Sequence, residues 1–169
     1  MTDKKIIFAA IAIAVVAVAA VGIYLLVDAN KETPVGAYAE YEVTGSYGGT
    51  TFDGTVKITI VSETSKKYKV EYVYNIYETT GGVRNPLMVM TETQWESKND
   101  SGGRDLGVKQ GTETITTDWG PKTVDKYVSA IPGEPAMVTY VGQADGIPYK
   151  IVINDIYTLT FTLKTTNMF

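Results

Sequence analysis

Oxygen donors and aromatic rings are the residues in this chain with chemistry to offer. Glu40 and Glu42 stand two apart. On a strand that spacing puts both carboxylates on one face, roughly 7 Å apart. Such a pair could flank a glycosidic bond or hold a hard cation. The same spacing also describes a solvated strand face, and Ala37, Ala39, Tyr41 and Val43 supply the apolar face opposite. The solvated face is the expected reading. Asn99 to Asp105 gathers oxygen donors and glycines. A Ca²⁺ loop needs the order D-x-[DN]-x-[DN]-G, which this stretch lacks, so it reads as an exposed polar loop. It holds the one N-x-[ST] sequon, Asn99-Asp100-Ser101, which makes Asn99 a candidate glycosylation site if the chain is exported.

The aromatics are the second resource. Tyr68, Tyr72 and Tyr74 fall on one face of a predicted strand, and Trp95 and Trp119 lie on other segments. Tyr72, Tyr74, Trp95 and Trp119 are the candidate ligand or partner contacts, because aromatic faces line carbohydrate and lipid grooves. A tyrosine-rich strand face is expected first as core. Trp119 is the strongest candidate, because it sits in a predicted turn with Gly120 and Pro121, and a Trp at a hairpin tip marks a contact surface.

Other chemistry is excluded by composition. The 169 residues include no His and no Cys. That removes Ser-His-Asp triads, thiol nucleophiles, disulfides, Fe–S clusters and Cys- or His-ligated zinc. No P-loop, G-x-G-x-x-G or S-x-x-K motif is present, so no cofactor is implied. A hydrolase built on Asp and Glu is the weakest of the readings. The net charge of -4 argues against nucleic acid as a partner.

Two kinds of element must position these residues. Ile6 to Val27 is an uncharged run of 22 residues. As a helix it would span about 33 Å, close to the hydrocarbon thickness of a bilayer. Lys4 and Lys5 precede it, so the positive-inside rule puts Met1 in the cytoplasm and the rest outside. Three readings compete: an uncleaved signal anchor, a signal peptide cut after Ala29, and a pilin-like segment. The run exceeds the usual apolar length of a signal peptide, which favours the anchor. Residues 1–27 are therefore read as a signal anchor, 28–36 as a linker and 37–169 as an extracytoplasmic β domain. Removing Asp3, Lys4 and Lys5 leaves 13 Lys and Arg against 18 Asp and Glu, a net of -5.

Period-two alternation dominates after the linker. Tyr68, Val70, Tyr72, Tyr74 and Ile76 predict one long strand face, and Tyr157, Leu159, Phe161 and Leu163 another. Leu87, Val89 and Trp95 are expected in phase on a further strand, with a bulge or late strand start at Asp53-Gly54. Gly81-Gly82, Asp118 to Pro121 and Asp145-Gly146 predict turns. About eight or nine strands with short connections favour antiparallel neighbours. The expected fold is mainly β: a single N-terminal transmembrane helix, then an antiparallel meander forming a half-barrel, barrel or sandwich. The last strand, running to Phe169, is expected at a sheet edge.

Thr114 to Tyr127, followed by Tyr140-Val141-Gly142 and Asp145-Gly146-Ile147-Pro148-Tyr149-Lys150, resembles a hairpin and turn pattern of exported, curled β-sheet proteins of the lipoprotein-carrier type. That resemblance covers about the last third of the chain and implies a concave sheet that shields apolar or lipid ligands. The chain departs from that family in having no lipidated Cys. The Ala- and Val-rich run ahead of a Thr- and Tyr-rich acidic domain also resembles small membrane-anchored archaeal surface proteins. The expected function is a membrane-anchored extracytoplasmic β domain with a non-catalytic binding or structural role. Its partners would be the membrane, through the N-terminal helix, and an apolar ligand. The alternative is a surface-assembly subunit, pilin-like or adhesin-like, whose partners are neighbouring surface proteins.

Overall fold

The computed structural model describes residues 35–98, 106–130, 136–154 and 157–168. The expected helix over Ile6–Val27 and the sequon at Asn99 lie outside the described residues. Among the described residues no helix is long and apolar enough to cross a membrane.

Nine strands follow one another: β1 (Tyr38–Tyr47), β2 (Thr50–Glu63), β3 (Lys67–Thr80), β4 (Val83–Ser97), β5 (Val108–Thr117), β6 (Gly120–Ser129), β7 (Ala136–Gly142), β8 (Pro148–Asn154) and β9 (Thr158–Thr166). They form one sheet in the order β4-β3-β2-β1-β9-β8-β7-β6-β5, with every neighbouring pair antiparallel. The expected meander is therefore present. Its two edges, β4 and β5, are consecutive in the chain.

Nine strands alternate in direction across the sheet, so its first and last members run the same way. β4 and β5 are thus parallel and cannot close an all-antiparallel ring. Among the described residues no ladder joins them, and the sheet is not closed into a barrel. Of the three expected forms, the closed barrel is excluded.

The alternation that predicted the strands also builds the core. β3 buries Tyr68, Val70, Tyr72, Tyr74 and Ile76, and β9 buries Leu159, Phe161 and Leu163. Inward residues from both halves of the sheet join one apolar cluster. Among the described residues no helix covers that face, so the sheet buries it by curling on itself. The Tyr41 hydroxyl on β1 donates to the Pro148 carbonyl at the start of β8, 3.0 Å away and inside the core.

Three expectations are corrected. β9 is not an edge: it pairs with β1 on one side and β8 on the other. The pattern of a strand does not say which neighbours it takes, and here the first and last strands meet mid-sheet. Gly54 marks no bulge, because its register runs unbroken against Val43 and Ile76. It is glycine because a Cβ there would stand 2.0 Å from the Asn75 carbonyl oxygen. Leu87, Val89 and Trp95 do not share one phase. The β3–β4 register shifts between Ile76 and Tyr77, leaving Leu87 as the extra residue. Leu87 packs against the core, whereas Val89 and Trp95 are 53% and 48% exposed.

Candidate functional site

The expected contact residues do not converge. Tyr72 and Tyr74 point into the core and stack with their planes 3° apart. The Tyr74 hydroxyl donates to Glu92 at 2.8 Å. Trp95 pairs with Lys69, on the face of the sheet opposite Tyr72 and Tyr74. The two tyrosines are core, as the first reading had it, and Trp95 belongs to an exposed edge. Glu40 and Glu42 lie on the partly solvated face of β1, with Glu42 3.4 Å from Lys164. Among the described residues no group of His, Cys, Asp and Glu is arranged to hold a metal ion.

Trp119 does sit where a contact residue should. β5 and β6 pair up to Thr117 and Gly120, leaving Asp118 and Trp119 as the tip. The Thr117 hydroxyl donates to the Gly120 carbonyl at 2.7 Å and accepts the Trp119 N–H at 3.2 Å. The β6–β7 ladder starts at Val124, and the Gln143 N–H donates to the Thr123 carbonyl at 3.1 Å, so the hairpin overhangs its neighbour by the stretch Gly120–Lys122. The overhang is anchored at both tip residues. Asp118 lies 3.5 Å from Lys164 on β9, the extra residue where the β1–β9 register shifts. The Trp119 ring meets the Tyr149 ring edge-on at 6.2 Å and remains 39% exposed.

Beneath this tip lies a cleft of about 330 Å³, lined chiefly by Pro121, Lys122, Gln143, Ala144, Asp145 and Tyr149. The Asp145-Gly146 turn builds one side. Asp145 accepts the Ile147 N–H at 3.0 Å through one carboxylate oxygen and the Tyr149 hydroxyl at 2.7 Å through the other. Gly146 donates to the Gly142 carbonyl at 2.9 Å, and Gly142 donates to the Ile147 carbonyl at 2.8 Å. Only glycine fits at 142: a Cβ would lie 2.2 Å from Asp145 Oδ1 and 2.7 Å from the Tyr149 ring. The Lys122 ammonium lies 5.5 Å from the centre of the Tyr149 ring. Burial first, then the bond to Asp145, pushes the Tyr149 hydroxyl above the ordinary tyrosine range.

A second network fixes the cleft from outside. Gln143 Nε2 donates to Asp125 Oδ1 at 2.6 Å and to Thr112 Oγ1 at 3.2 Å. Lys109 reaches Asp125 Oδ2 at 2.6 Å. The Lys109 bond, then those of Thr112 and Gln143, hold the Asp125 carboxyl down at about 2. Asp125 thereby ties edge strand β5 to β6 and to the β7–β8 turn.

Sequence reasoning missed the cleft partners of Trp119. Tyr149 alternates with Ile151 and Ile153 and reads only as core, while Lys122 and Gln143 carry no motif. Asp145-Gly146 read as a turn, and that turn is the nearest thing to a signal for the site.

No family model matches the chain, and no curated protein matches it. Among solved structures, a hypothetical protein from Chlamydia trachomatis shares 12% identity, with 78% of this chain and 86% of that chain covered and a TM-score of 0.32. An uncharacterized conserved protein from Thermus thermophilus shares 15% identity over 78% of this chain and 81% of its own, with a TM-score of 0.33. At these values the likeness assigns no function.

Proposed function

We propose that this chain is a membrane-anchored extracytoplasmic β domain that binds rather than catalyses, with Trp119 and the cleft below it as the contact. The observation that carries this reading is Trp119 itself. A two-residue hairpin tip is built best from small polar residues. Here the tip spends a large aromatic, keeps it partly exposed and fixes it against Tyr149. Turn chemistry does not ask for that, and a contact surface does. The anchor half of the reading rests on the uncharged Ile6–Val27 run with Lys4 and Lys5 ahead of it.

The inner face of the sheet is packed with its own side chains, Tyr41, Tyr72, Tyr149 and Phe161 among them, each below 2% exposed. A ligand is therefore better accommodated at the tip than inside the curl. Protease shaving of intact cells tests the reading. A chain that fractionates with membranes and loses its C-terminal domain to external protease supports it. A membrane-bound chain whose C-terminal domain survives until lysis sinks it.

The second reading, a surface-assembly subunit, is favoured by β4. This edge strand is 15 residues long and exposes Val89, Met90 and Trp95. Long exposed edges recruit further strands. Sedimentation of the purified chain before and after Thr93→Lys separates the readings: assembly through β4 predicts oligomers that the added charge dissolves.

A further inference from the structure

We propose that the cleft under the β5–β6 tip takes a single uncharged pyranose sugar. The inference rests on the binding reading above and names the class of ligand.

Four features of the cleft select that class. The first is charge. One ammonium, Lys122, and one carboxylate, Asp145, line it, so the site holds no net charge to reward an ionic ligand. The second is the mixture of donors and acceptors. Lys122 carries N–H donors. Gln143 commits its Nε2 to Asp125 and Thr112 and keeps its Oε1 as an acceptor. Each Asp145 oxygen receives one hydrogen bond and retains a lone pair. A ring of hydroxyl groups both donates and accepts, and matches such a lining. The third is the aromatic rim. Trp119 stands beside the cleft, 39% exposed and held edge-on by the buried Tyr149 ring. The flat apolar C–H face of a pyranose packs on an aromatic surface, while its hydroxyls turn toward polar groups. The fourth is size. About 330 Å³ is the lower end of ligand pockets, enough for one small ring and too little for a lipid chain.

The cleft is also organised before any ligand arrives. Gly142, the Asp145 turn and the Tyr149–Asp145 bond fix its shape, which lowers the ordering cost of binding.

The test uses the full chain in detergent with Trp95→Phe, which leaves Trp119 as its one tryptophan. Trp119 emission is titrated with glucose, galactose, mannose and N-acetylglucosamine, and in parallel with glucuronate and choline. The expected result is a saturable emission shift with at least one neutral sugar, at a Kd of about 0.1–10 mM. Ala144→Phe, which fills the cleft from an exposed turn position, is expected to weaken it at least about tenfold. Calorimetry on the chain with both tryptophans reads the same binding should Trp95→Phe fold poorly. No saturable shift with any of the four neutral sugars overturns the proposal. So does a shift that Ala144→Phe leaves unchanged, or binding confined to glucuronate or to choline. These outcomes are read on purified protein, whereas protease shaving reads location, so either idea can fail while the other stands.

Discussion

Replacing Tyr41 or Tyr72 by Phe removes one oxygen from a fully buried ring, yet only the first change is expected to destabilise the fold. Both side chains are 0% exposed. The Tyr41 hydroxyl donates to the Pro148 carbonyl at 3.0 Å, linking β1 to the start of β8. Tyr41→Phe loses that bond and leaves a buried carbonyl short of its donor, which costs about 1–3 kcal/mol. The Tyr72 hydroxyl is buried with no hydrogen-bond partner. Gln94 and Glu96 of β4 lie close enough to influence it, but neither meets hydrogen-bond distance and angle. Tyr72→Phe therefore removes a desolvated polar group and is expected to be neutral or to stabilise by up to about 1 kcal/mol. Urea unfolding followed by circular dichroism reads both variants, with the slope checked to confirm that only the midpoint moves. A gap of at least about 1 kcal/mol between the two is the result expected. Equal destabilisation by both would refute the reasoning, because it would mean that burial of the ring alone sets the cost.

Other outcomes follow from the same packing and hydrogen bonds. Burial raises the hydroxyls of Tyr41, Tyr72, Tyr74 and Tyr149 above their ordinary value of 10.0. The stability tied to these groups is complete below pH 10 and is lost as pH rises beyond it. Ultraviolet absorbance is expected to show them ionising only together with unfolding. Asp125 runs the other way: its carboxyl is lowered from 3.8 to about 2, so its contribution holds above pH 3.8 and disappears as pH falls toward 2. Hydrogen exchange should then show β5 opening ahead of the rest of the sheet. Gly142→Ala forces a Cβ to within 2.2 Å of Asp145 Oδ1 and should cost about 1–3 kcal/mol, read as a lowered Tm. Truncation before Thr158 removes β9 from mid-sheet, parting β1 from β8, and is expected to abolish cooperative melting.

The strands were legible because one-sided burial writes period two into the sequence. Val70, Tyr72, Tyr74 and Ile76 on β3, and Leu159, Phe161 and Leu163 on β9, declare both element and face. Neighbours were not legible. Pairing of β9 with β1 is a contact across the whole chain, and no local pattern encodes it. Phase also fails wherever a bulge intervenes: Leu87 and Val89 look equivalent in the sequence, and one extra residue sends them to different environments. The site was half legible. A Trp beside Gly-Pro in a turn announces itself. Tyr149, Lys122 and Gln143 come from different segments, and only the overhang of the β5–β6 hairpin brings them under Trp119.

The absence of cysteine offers a direct test of where the domain lies. Thr116→Cys, at an exposed position on β5, and Thr2→Cys, ahead of the apolar run, each introduce one thiol for a membrane-impermeant maleimide. In intact cells the account predicts labelling at Thr116→Cys and none at Thr2→Cys until the membrane is permeabilised. Labelling of Thr116→Cys only after permeabilisation would contradict it.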